Sequence, residues 1–208
     1  IKVITCTSSV LSIRVRWSVE TGADEVCEFG EIGSLGDGTG EKEWKMLELI
    51  QKSDVADLDT VRHFYRALAG TEFCAWTDAY PGEPELQSDV SRNSLFCIRD
   101  DASGEIAGVV SIDDDPEVES IPCWSKELQP SAEISRLGVA EKYQNRGIAR
   151  ELLAGAMEEL KKRGCRSAHM LVAKDNVKAL RSYQKLTFVK VGEYVLQGHD
   201  YWCFEKKL

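Results

Sequence analysis

Polar, basic and small side chains are concentrated where one long helix is predicted to begin, between Gln144 and Arg150. The first turn of a helix leaves about four backbone N–H groups without partners inside the helix. The helix dipole adds about half a positive charge at the same end. Gly147 lets a ligand approach the backbone closely, and Ala149 keeps the second position small. Arg146 and Arg150 add positive charge nearby. The pattern therefore predicts a site for an anion such as a pyrophosphate.

Two common phosphate-binding motifs are missing from the chain. It contains no G-x-x-x-x-G-K-[ST] sequence, which argues against a P-loop nucleotide site, and no G-x-G-x-x-G sequence, which argues against a nicotinamide dinucleotide site. The glycine alone also has a simpler interpretation, because it could ease a tight turn with no ligand involved. The elements around the helix therefore have to distinguish these alternatives.

A strand–helix–strand unit positions this helix start. Strands are predicted over residues 131–140 and 165–173, and the amphipathic helix that opens near Gly147 lies between them. The crossover places Gly147 at the carboxyl end of the first strand. Ligands of open α/β sheets tend to bind at that edge.

The remaining pattern predicts antiparallel hairpins before this unit and two closing strands after it. In chain order, we expect a strand over 45–51, a helix over 53–70, an aromatic loop over 71–86, a hairpin over 94–115, an acidic loop over 116–130, a helix over 176–186 and strands over 188–197 and 199–208. The predicted fold class is α/β, a central mixed sheet flanked by helices. Residues 1–45 are predicted to be an N-terminal extension, and residues 46–208 the functional domain.

Composition favours a soluble globular protein of the reducing cytoplasm. The chain has 208 residues, a formal net charge of −9 and 43% hydrophobic residues. No apolar run is long enough to span a bilayer, and the first residues do not show the cationic and then apolar pattern of a signal peptide, so no membrane partner is expected. The seven cysteines include no C-x-x-C pair. Their number and spacing therefore indicate neither a disulfide framework nor a metal site.

Charge is distributed unevenly along the chain. Residues 131–208 carry 15 Lys and Arg against 9 Asp and Glu, whereas residues 1–130 carry 11 against 26. The basic part suits an anionic ligand and the acidic part would attract a cationic partner, although two differently solvated surfaces would give the same counts. Nucleic acid is not an expected partner, because the overall charge is negative and no basic stripe carries interleaved aromatic residues.

Three motifs, in this order, resemble those of the GNAT N-acetyltransferase superfamily. The first is a hydrophobic–small–hydrophobic step at the end of a strand, matched by Leu137, Gly138 and Val139. The second is Q/R-x-x-G-x-G/A, matched by Gln144, Gly147 and Ala149. The third is an N…A…Y…G-F pattern, matched by Asn176, Ala179, Tyr183 and Phe188, with Thr187 in place of the glycine. The resemblance covers most of the chain from residue 46 onward and is strongest over 131–188.

The resemblance implies a GNAT-like fold and acetyl-CoA as the cosubstrate of an acyltransferase. The helix-start amides would hold the pyrophosphate, and the preceding strand would pair with the pantetheine arm in a space where two strands diverge. The residues implied in cofactor binding are Leu137, Gly138, Val139, Gln144, Asn145, Arg146, Gly147, Ile148, Ala149, Arg150, Asn176, Ala179 and Tyr183. Asn176 also suits the N-cap position of its predicted helix.

Two side chains are the catalytic candidates that the resemblance implies. Glu133 precedes Leu137 on the same strand and resembles the glutamate base of histone-type members, so it would take a proton from the attacking amine. Tyr183 would protonate the leaving thiolate. Each has a structural alternative, namely a surface glutamate paired with a lysine and a tyrosine packed between helix and sheet.

The favoured function is direct transfer of an acetyl group from acetyl-CoA to a primary amine in a ternary complex. The alternative is a non-catalytic module that senses acyl-CoA. Small-molecule and peptide amines are all open as acceptors, and a homodimer is compatible with the sequence. An acidic loop, with five carboxylates over 113–119, favours a cationic acceptor if it borders the acceptor channel.

Other side chains have weaker signals. Three aromatic residues lie in loops of the part of the chain where this family builds its acceptor site, namely Trp76, Tyr80 and Trp124. The three histidines show no cluster or partner pattern and are expected in core or surface positions; they are His63, His169 and His199.

Overall fold

The computed structural model describes residues 47–72, 74–177, 179–180 and 186–208. The predicted N-terminal extension and Tyr183 lie outside the described residues, as does much of the helix predicted over 176–186. The α-helices that lie wholly within the described part are α1 (Val55–Leu68), α2 (Glu83–Ser91), α3 (Pro116–Glu119) and α4 (Ile148–Lys162), with 3-10 turns at Lys126–Leu128 and Glu141–Tyr143. The strands are β1 (Glu48–Leu49), β2 (Leu95–Arg99), β3 (Ile106–Asp113), β4 (Ser131–Val139), β5 (Ser167–Ala173), β6 (Val189–Leu196) and β7 (His199–Lys207).

The strands of the described residues form one sheet in the order β1-β2-β3-β4-β5-β7-β6. β4 and β5 run parallel, as a helical crossover requires, and the other neighbouring pairs are antiparallel. The core on one face contains α4, and the core on the other contains α1 and α2. The prediction of a mixed sheet flanked by helices is confirmed. No helix of the described residues has the length and apolar content needed to cross a membrane.

The spacing of its apolar residues gives α4 a buried face. The buried positions recur at helical intervals and pack against the sheet; they are Ile148, Leu152, Leu153, Ala156, Met157 and Leu160. The helix ends in a Schellman motif, in which Gly164, with φ +85°, donates its N–H to Lys161 and Cys165 donates its N–H to Leu160. The helix is therefore fixed at its C-terminus by its own sequence.

The hairpin predicted over 94–115 is confirmed as β2 and β3. Two helices were not predicted: α2 begins inside the loop predicted over 71–86 and continues beyond it, and α3 lies inside the loop predicted over 116–130. α2 begins within the Pro-Gly-Glu-Pro segment, where the carboxylate of Glu85 accepts a hydrogen bond from the Gly82 N–H at 2.7 Å. Proline near a helix start is favoured, so the signal for a turn was also a signal for a helix. α3 lies in the predicted acidic loop, and Asp115 caps it by accepting the Glu117 N–H at 2.8 Å.

A buried ion-pair network ties α2 to the middle of the sheet. Arg136 lies at an irregularity in the pairing of β3 with β4, where its φ is +46°. Its guanidinium donates hydrogen bonds to Asp89 of α2 at 2.8 and 2.6 Å and lies 2.6 Å from Asp113 of β3. Burial opposes the charge of Arg136, but the hydrogen bonds to Asp89 and Asp113 outweigh burial and raise its pKa. The network fixes the position of α2 against β3 and β4.

We expect Asp89→Asn to lower the free energy of unfolding by about 3 kcal/mol, because it leaves the buried Arg136 with less counter-charge. Urea unfolding followed by circular dichroism measures the loss. Glu83→Gln is the matched control on the same helix, because the Glu83–Arg62 pair is partly exposed to solvent and should contribute no more than about 1 kcal/mol. Equal losses for the two variants would contradict a structural role for the buried network.

Candidate active site

A cleft of about 890 Å³ opens where β4 and β5 separate. Residues 131–133 of β4 pair with residues 167–169 of β5, and the described pairing stops there, so the two strands diverge beyond Glu133. The predicted site residues that line the cleft are Glu133, Leu137, Gly138, Val139, Gln144, Asn145, Gly147, Ile148, Ala149, Arg150, Asn176 and Ala179. Arg146 is exposed beside the cleft and does not line it, and Tyr183 lies outside the described residues.

The start of α4 presents backbone donors to the cleft. Gly147 is the N-cap residue with φ +88°, and Asn145 has φ +60°, so two left-handed residues shape the turn. Within the described part of the chain, the N–H groups of Arg146, Gly147, Ile148 and Ala149 have no hydrogen-bond partner. Unpaired donors at the positive end of a 15-residue helix are suited to bind an anion, as the sequence predicted.

Side chains around this turn reinforce the site. Gln144 donates a hydrogen bond from Nε2 to the Val139 carbonyl at 3.2 Å, which ties the turn to the end of β4. The guanidinium of Arg150 lies 3.7 Å from the point where a Cβ atom on residue 147 would be. Arg146 lies over the ring of Tyr143, with 5.7 Å between the guanidinium carbon and the ring centroid. Two exposed cations therefore flank the bare N–H groups.

The edge of β4 forms the wall of the cleft. Beyond Glu133 this edge has no strand partner on the β5 side among the described residues, so its backbone can pair with an extended ligand. Gly138 is small for a packing reason, because a Cβ atom there would lie 2.7 Å from Leu68 Cδ1 and 2.8 Å from both Phe64 Cε1 and Trp76 Cη2. The small residue of the strand motif therefore lets α1 pack against β4.

Asn176 follows β5 and lies on the side of the cleft opposite β4. Its Oδ1 accepts a hydrogen bond from the Ala179 N–H at 2.9 Å, which confirms the predicted N-cap interaction. Asn176 and Ala179 also line the cleft, so capping does not remove them from the site.

Glu133 is a buried carboxyl group at the point of divergence. Its exposed fraction is 6%, so the alternative of a surface glutamate paired with a lysine is wrong. Burial, above all, and then the negative charge of Asp113 raise the pKa of Glu133 to about 8, although Arg136 opposes this shift. Glu133 is therefore mainly protonated at neutral pH and becomes a proton acceptor as the pH rises through about 8.

Two of the three aromatic residues that the sequence predicted near the acceptor site line the cleft. Trp76 and Tyr80 lie there, whereas Trp124 is buried against His169 and does not line the cleft. Tyr201 of β7 also lines it, and burial raises the pKa of its hydroxyl group. Sequence reasoning missed Tyr201, because only the antiparallel pairing of β7 with β5 brings it to the site.

The acidic segment contributes less charge than its composition suggests. Asp113 lies 2.6 Å from Arg136 and 2.8 Å from Arg92, and Asp114 lies 3.0 Å from Arg92. Asp115 forms no ion pair among the described residues and lines the cleft. The carboxylates that face the cleft without a cationic partner are therefore fewer than the five predicted from the sequence.

We expect the pKa of Glu133 to appear in the pH dependence of stability. The folded protein holds this proton up to about pH 8, whereas the unfolded chain releases it near the ordinary value of 4.5. Stability should therefore fall between these pH values in the parent relative to Glu133→Gln, and the difference should be constant above them. Urea unfolding of both proteins at several pH values measures this difference. Parallel curves would contradict the raised pKa.

Comparisons with known proteins agree with this geometry. A model described as the Acetyltransferase (GNAT) family matches residues 61–188. A curated relative, "Acetyltransferase Atu2258" from Agrobacterium fabrum, is 42% identical over 59 residues, which span 28% of this chain. The matched segment spans 42% of that relative, less than half of its length.

Solved structures share the fold at low sequence identity. One chain of the NatC complex bound to Gag peptide and CoA has a TM-score of 0.61 and 16% identity, covering 80% of this chain and 99% of that chain. The ribosomal-protein-S18-alanine N-acetyltransferase from Escherichia coli has a TM-score of 0.57 and 18% identity, covering 79% and 94%. A chimera of the spermidine N-acetyltransferase SpeG from Vibrio cholerae and hSSAT has a TM-score of 0.58 and 19% identity, covering 79% and 95%. Since the family model spans more than half of the sequence, the chain belongs to the GNAT family of acetyltransferases, as its three motifs predicted.

Proposed function

We propose that this protein is an N-acetyltransferase that moves the acetyl group of acetyl-CoA directly to a primary amine in a ternary complex. The observation that carries the proposal is the cleft between β4 and β5, which joins the anion site at the start of α4 to the buried Glu133. One cleft therefore contains a place for a phosphate-bearing cosubstrate and a group that can take a proton from an amine.

Acetyl-CoA is the cosubstrate that the family and the cleft support. Its pyrophosphate would bind the bare N–H groups between Arg146 and Ala149, with Arg146 and Arg150 on either side. Its pantetheine arm would pair with the free edge of β4 near Leu137 and Val139. Asn176 would contact the arm from the opposite wall of the cleft.

Glu133 is the proposed general base. An ammonium group must lose a proton before its nitrogen can attack the thioester carbonyl, and a positioned base typically accelerates such a step by about 10²- to 10⁴-fold. The raised pKa of Glu133 suits this task, because a base works best when its pKa is close to the operating pH. The N–C bond forms as the C–S bond breaks, and the CoA thiolate takes a proton from Tyr183, which we propose as the acid from the family motif. The nitrogen loses its second proton as the amide forms, and that proton restores the Tyr183 hydroxyl, so the one surplus proton of the reaction is the one on Glu133.

The acceptor is proposed to be a cationic amine. Asp115 and Glu72 line the cleft with exposed side chains, and Trp76 and Tyr80 offer aromatic surface beside them. Carboxylates and aromatic rings together favour an ammonium-bearing ligand. Two of the structural neighbours carry the names of a spermidine N-acetyltransferase and a peptide-bound complex, which is consistent with acceptors of this class.

We expect Gly147→Glu to weaken CoA binding at least about tenfold, or 1.4 kcal/mol, because it puts a carboxylate at the proposed pyrophosphate site. Its side chain has room, since the nearest atom to a Cβ there is 3.7 Å away. Gly164→Glu is the matched control, because Gly164 has a similar φ of +85° at the other end of α4 and open space around it. Both variants share the strain of a left-handed residue, and only Gly147→Glu alters the anion site. Calorimetry with CoA should separate them, and equal affinities would exclude the site.

Thiol release from acetyl-CoA with a panel of amines tests the activity itself. We expect turnover with spermidine and with a lysine-bearing peptide to exceed turnover with a zwitterionic amino acid. Asp115→Asn should raise KM for spermidine several-fold at low salt and leave KM for acetyl-CoA unchanged, because asparagine preserves the helix cap and removes the charge. Asp114→Asn is the control, because Asp114 is ion-paired with Arg92 and does not line the cleft.

The outcomes of that assay separate three conclusions. CoA binding without thiol release for any amine would favour the acyl-CoA sensor over the enzyme. Thiol release with no preference for cationic amines would support the acetyltransferase activity and exclude the proposal that negative charge in the cleft selects the acceptor. A spermidine KM that Asp115→Asn does not change at low salt would show that Asp115 is only part of a solvated surface.

A further inference from the structure

A row of ionisable side chains crosses the sheet next to the cleft. Asp113 of β3 pairs with Glu133 of β4, Glu133 pairs with His169 of β5, and His169 pairs with Glu205 of β7. Residues paired in this way have side chains on the same face of a sheet. The neighbouring row, which includes Ala168, packs with α4, so the ionisable row lies on the opposite face. Glu133 and His169 are the last pair before the strands diverge.

His169 is buried without the hydrogen bonds that a buried imidazole normally makes. Its exposed fraction is 0%, and neither ring nitrogen has a hydrogen-bond partner among the described residues. Nε2 lies 3.1 Å from Oε1 of Glu119, but the two atoms do not meet the geometry of a hydrogen bond. Unsatisfied buried polar groups cost about 1–3 kcal/mol each, so an apolar residue would stabilise this position better. The imidazole therefore calls for a functional explanation.

The surroundings of His169 fix its ring and leave one route to solvent. The ring of Trp124 stacks on it at 4.4 Å, and Trp124 is itself fixed by a hydrogen bond from Nε1 to the Val118 carbonyl at 2.8 Å. Glu119 has a buried Oε1 next to the imidazole, while its side chain as a whole is 31% exposed. Glu119 therefore connects the buried ring to water.

Glu205 lies on the other side of His169, and its carboxylate already has hydrogen-bond partners. Its carboxylate accepts a hydrogen bond from the Ser125 hydroxyl at 2.6 Å and another from the Ser167 hydroxyl at 3.3 Å. It is 3% exposed, so it offers no path to solvent. Of the three carboxylates beside the imidazole, Glu133 faces the cleft and Glu119 faces water.

We propose that His169 carries the proton that Glu133 takes from the acceptor amine and passes it through Glu119 to solvent. This inference rests on the proposed acetyltransferase function. One proton moves from the ammonium nitrogen to the Glu133 carboxylate, then to a ring nitrogen of His169, and leaves by way of the Glu119 carboxylate. No other bond changes in the relay. His169 is a positioning residue in this scheme, because it acts through Glu133 and does not touch the substrate.

The relay gives Glu133 a way to lose its proton while substrates fill the cleft. Glu133 is 6% exposed and its surface faces the cleft, which acetyl-CoA and the acceptor fill during reaction. Water is then excluded from the side on which Glu133 would otherwise exchange its proton. His169 and Glu119 lie on a different side of Glu133, along the sheet, and neither lines the cleft. The proton can therefore leave while both substrates are bound.

Two variants test the relay. His169→Gln removes the titratable ring, and Glu119→Gln preserves size but removes the carboxylate. We expect each to lower kcat by about tenfold or more, with KM for acetyl-CoA unchanged. The solvent deuterium isotope effect on kcat should rise in both, because proton transfer becomes slower than chemistry. A purely structural role for His169 would not change the isotope effect.

Glu117→Gln is the matched control on α3, because Glu117 is exposed and its described side-chain contact is the Tyr194 hydroxyl at 3.5 Å. It should keep the kcat and isotope effect of the parent. If His169→Gln fails to fold, Glu119→Gln alone tests the relay, because the Glu119 side chain is partly exposed and its substitution should not prevent folding. An active parent with an unchanged kcat in Glu119→Gln would overturn the relay and leave the proposed function standing. A parent that binds CoA and releases no thiol would overturn the proposed function, and the relay with it.

Discussion

The divergence of β4 and β5 beyond Glu133 leaves backbone groups without strand partners in the middle of a sheet. Unpaired backbone groups in an interior cost free energy, so such a gap persists only where the surrounding structure holds the strands apart. β5 is held by pairing with β7 over all seven of its residues. β4 is held by the irregularity at Arg136 and by the α1 side chains that close on Gly138. The gap is therefore a property of the fold, and the proposed anion site and Glu133 take their positions from it.

Burial of charge is the second constraint on this fold. Two arginines, Arg92 and Arg136, neutralise Asp89 and Asp113 and so allow carboxylates to lie close to the cleft. Glu133 receives no such hydrogen bond among the described residues, and the folded state holds its proton as a result. This arrangement makes the fold less stable at high pH than it would be with a neutral side chain. A cost of this kind is typical of residues that are retained for chemistry.

Local patterns predicted most of the elements, and long-range contacts account for what they missed. The strand motif ending in Leu137–Val139 and the turn at Gly147 lie close together in the sequence, so the sheet and α4 could be predicted, and the anion site stays a prediction. α2 was missed because proline and glycine favour turns and helix starts alike. The burial of Glu133 and the approach of Tyr201 depend on pairing between distant strands, which one sequence does not reveal. The same holds for His169, whose neighbours come from three separate segments, namely residues 119–124, β4 and β7.

The gap also gives the sheet an opening from one face to the other. Met170 and Val172 line the cleft on the face that carries α4, and Leu171 and Tyr201 line it on the opposite face. Two molecules can therefore reach the same point through separate entrances, without one having to leave before the other arrives. Such a passage suits the proposed direct transfer, in which neither substrate obstructs the other and no covalent acyl-enzyme stores the acetyl group between them. In that proposed reaction, the order in which the products depart would depend on how firmly each wall of the cleft holds its own ligand.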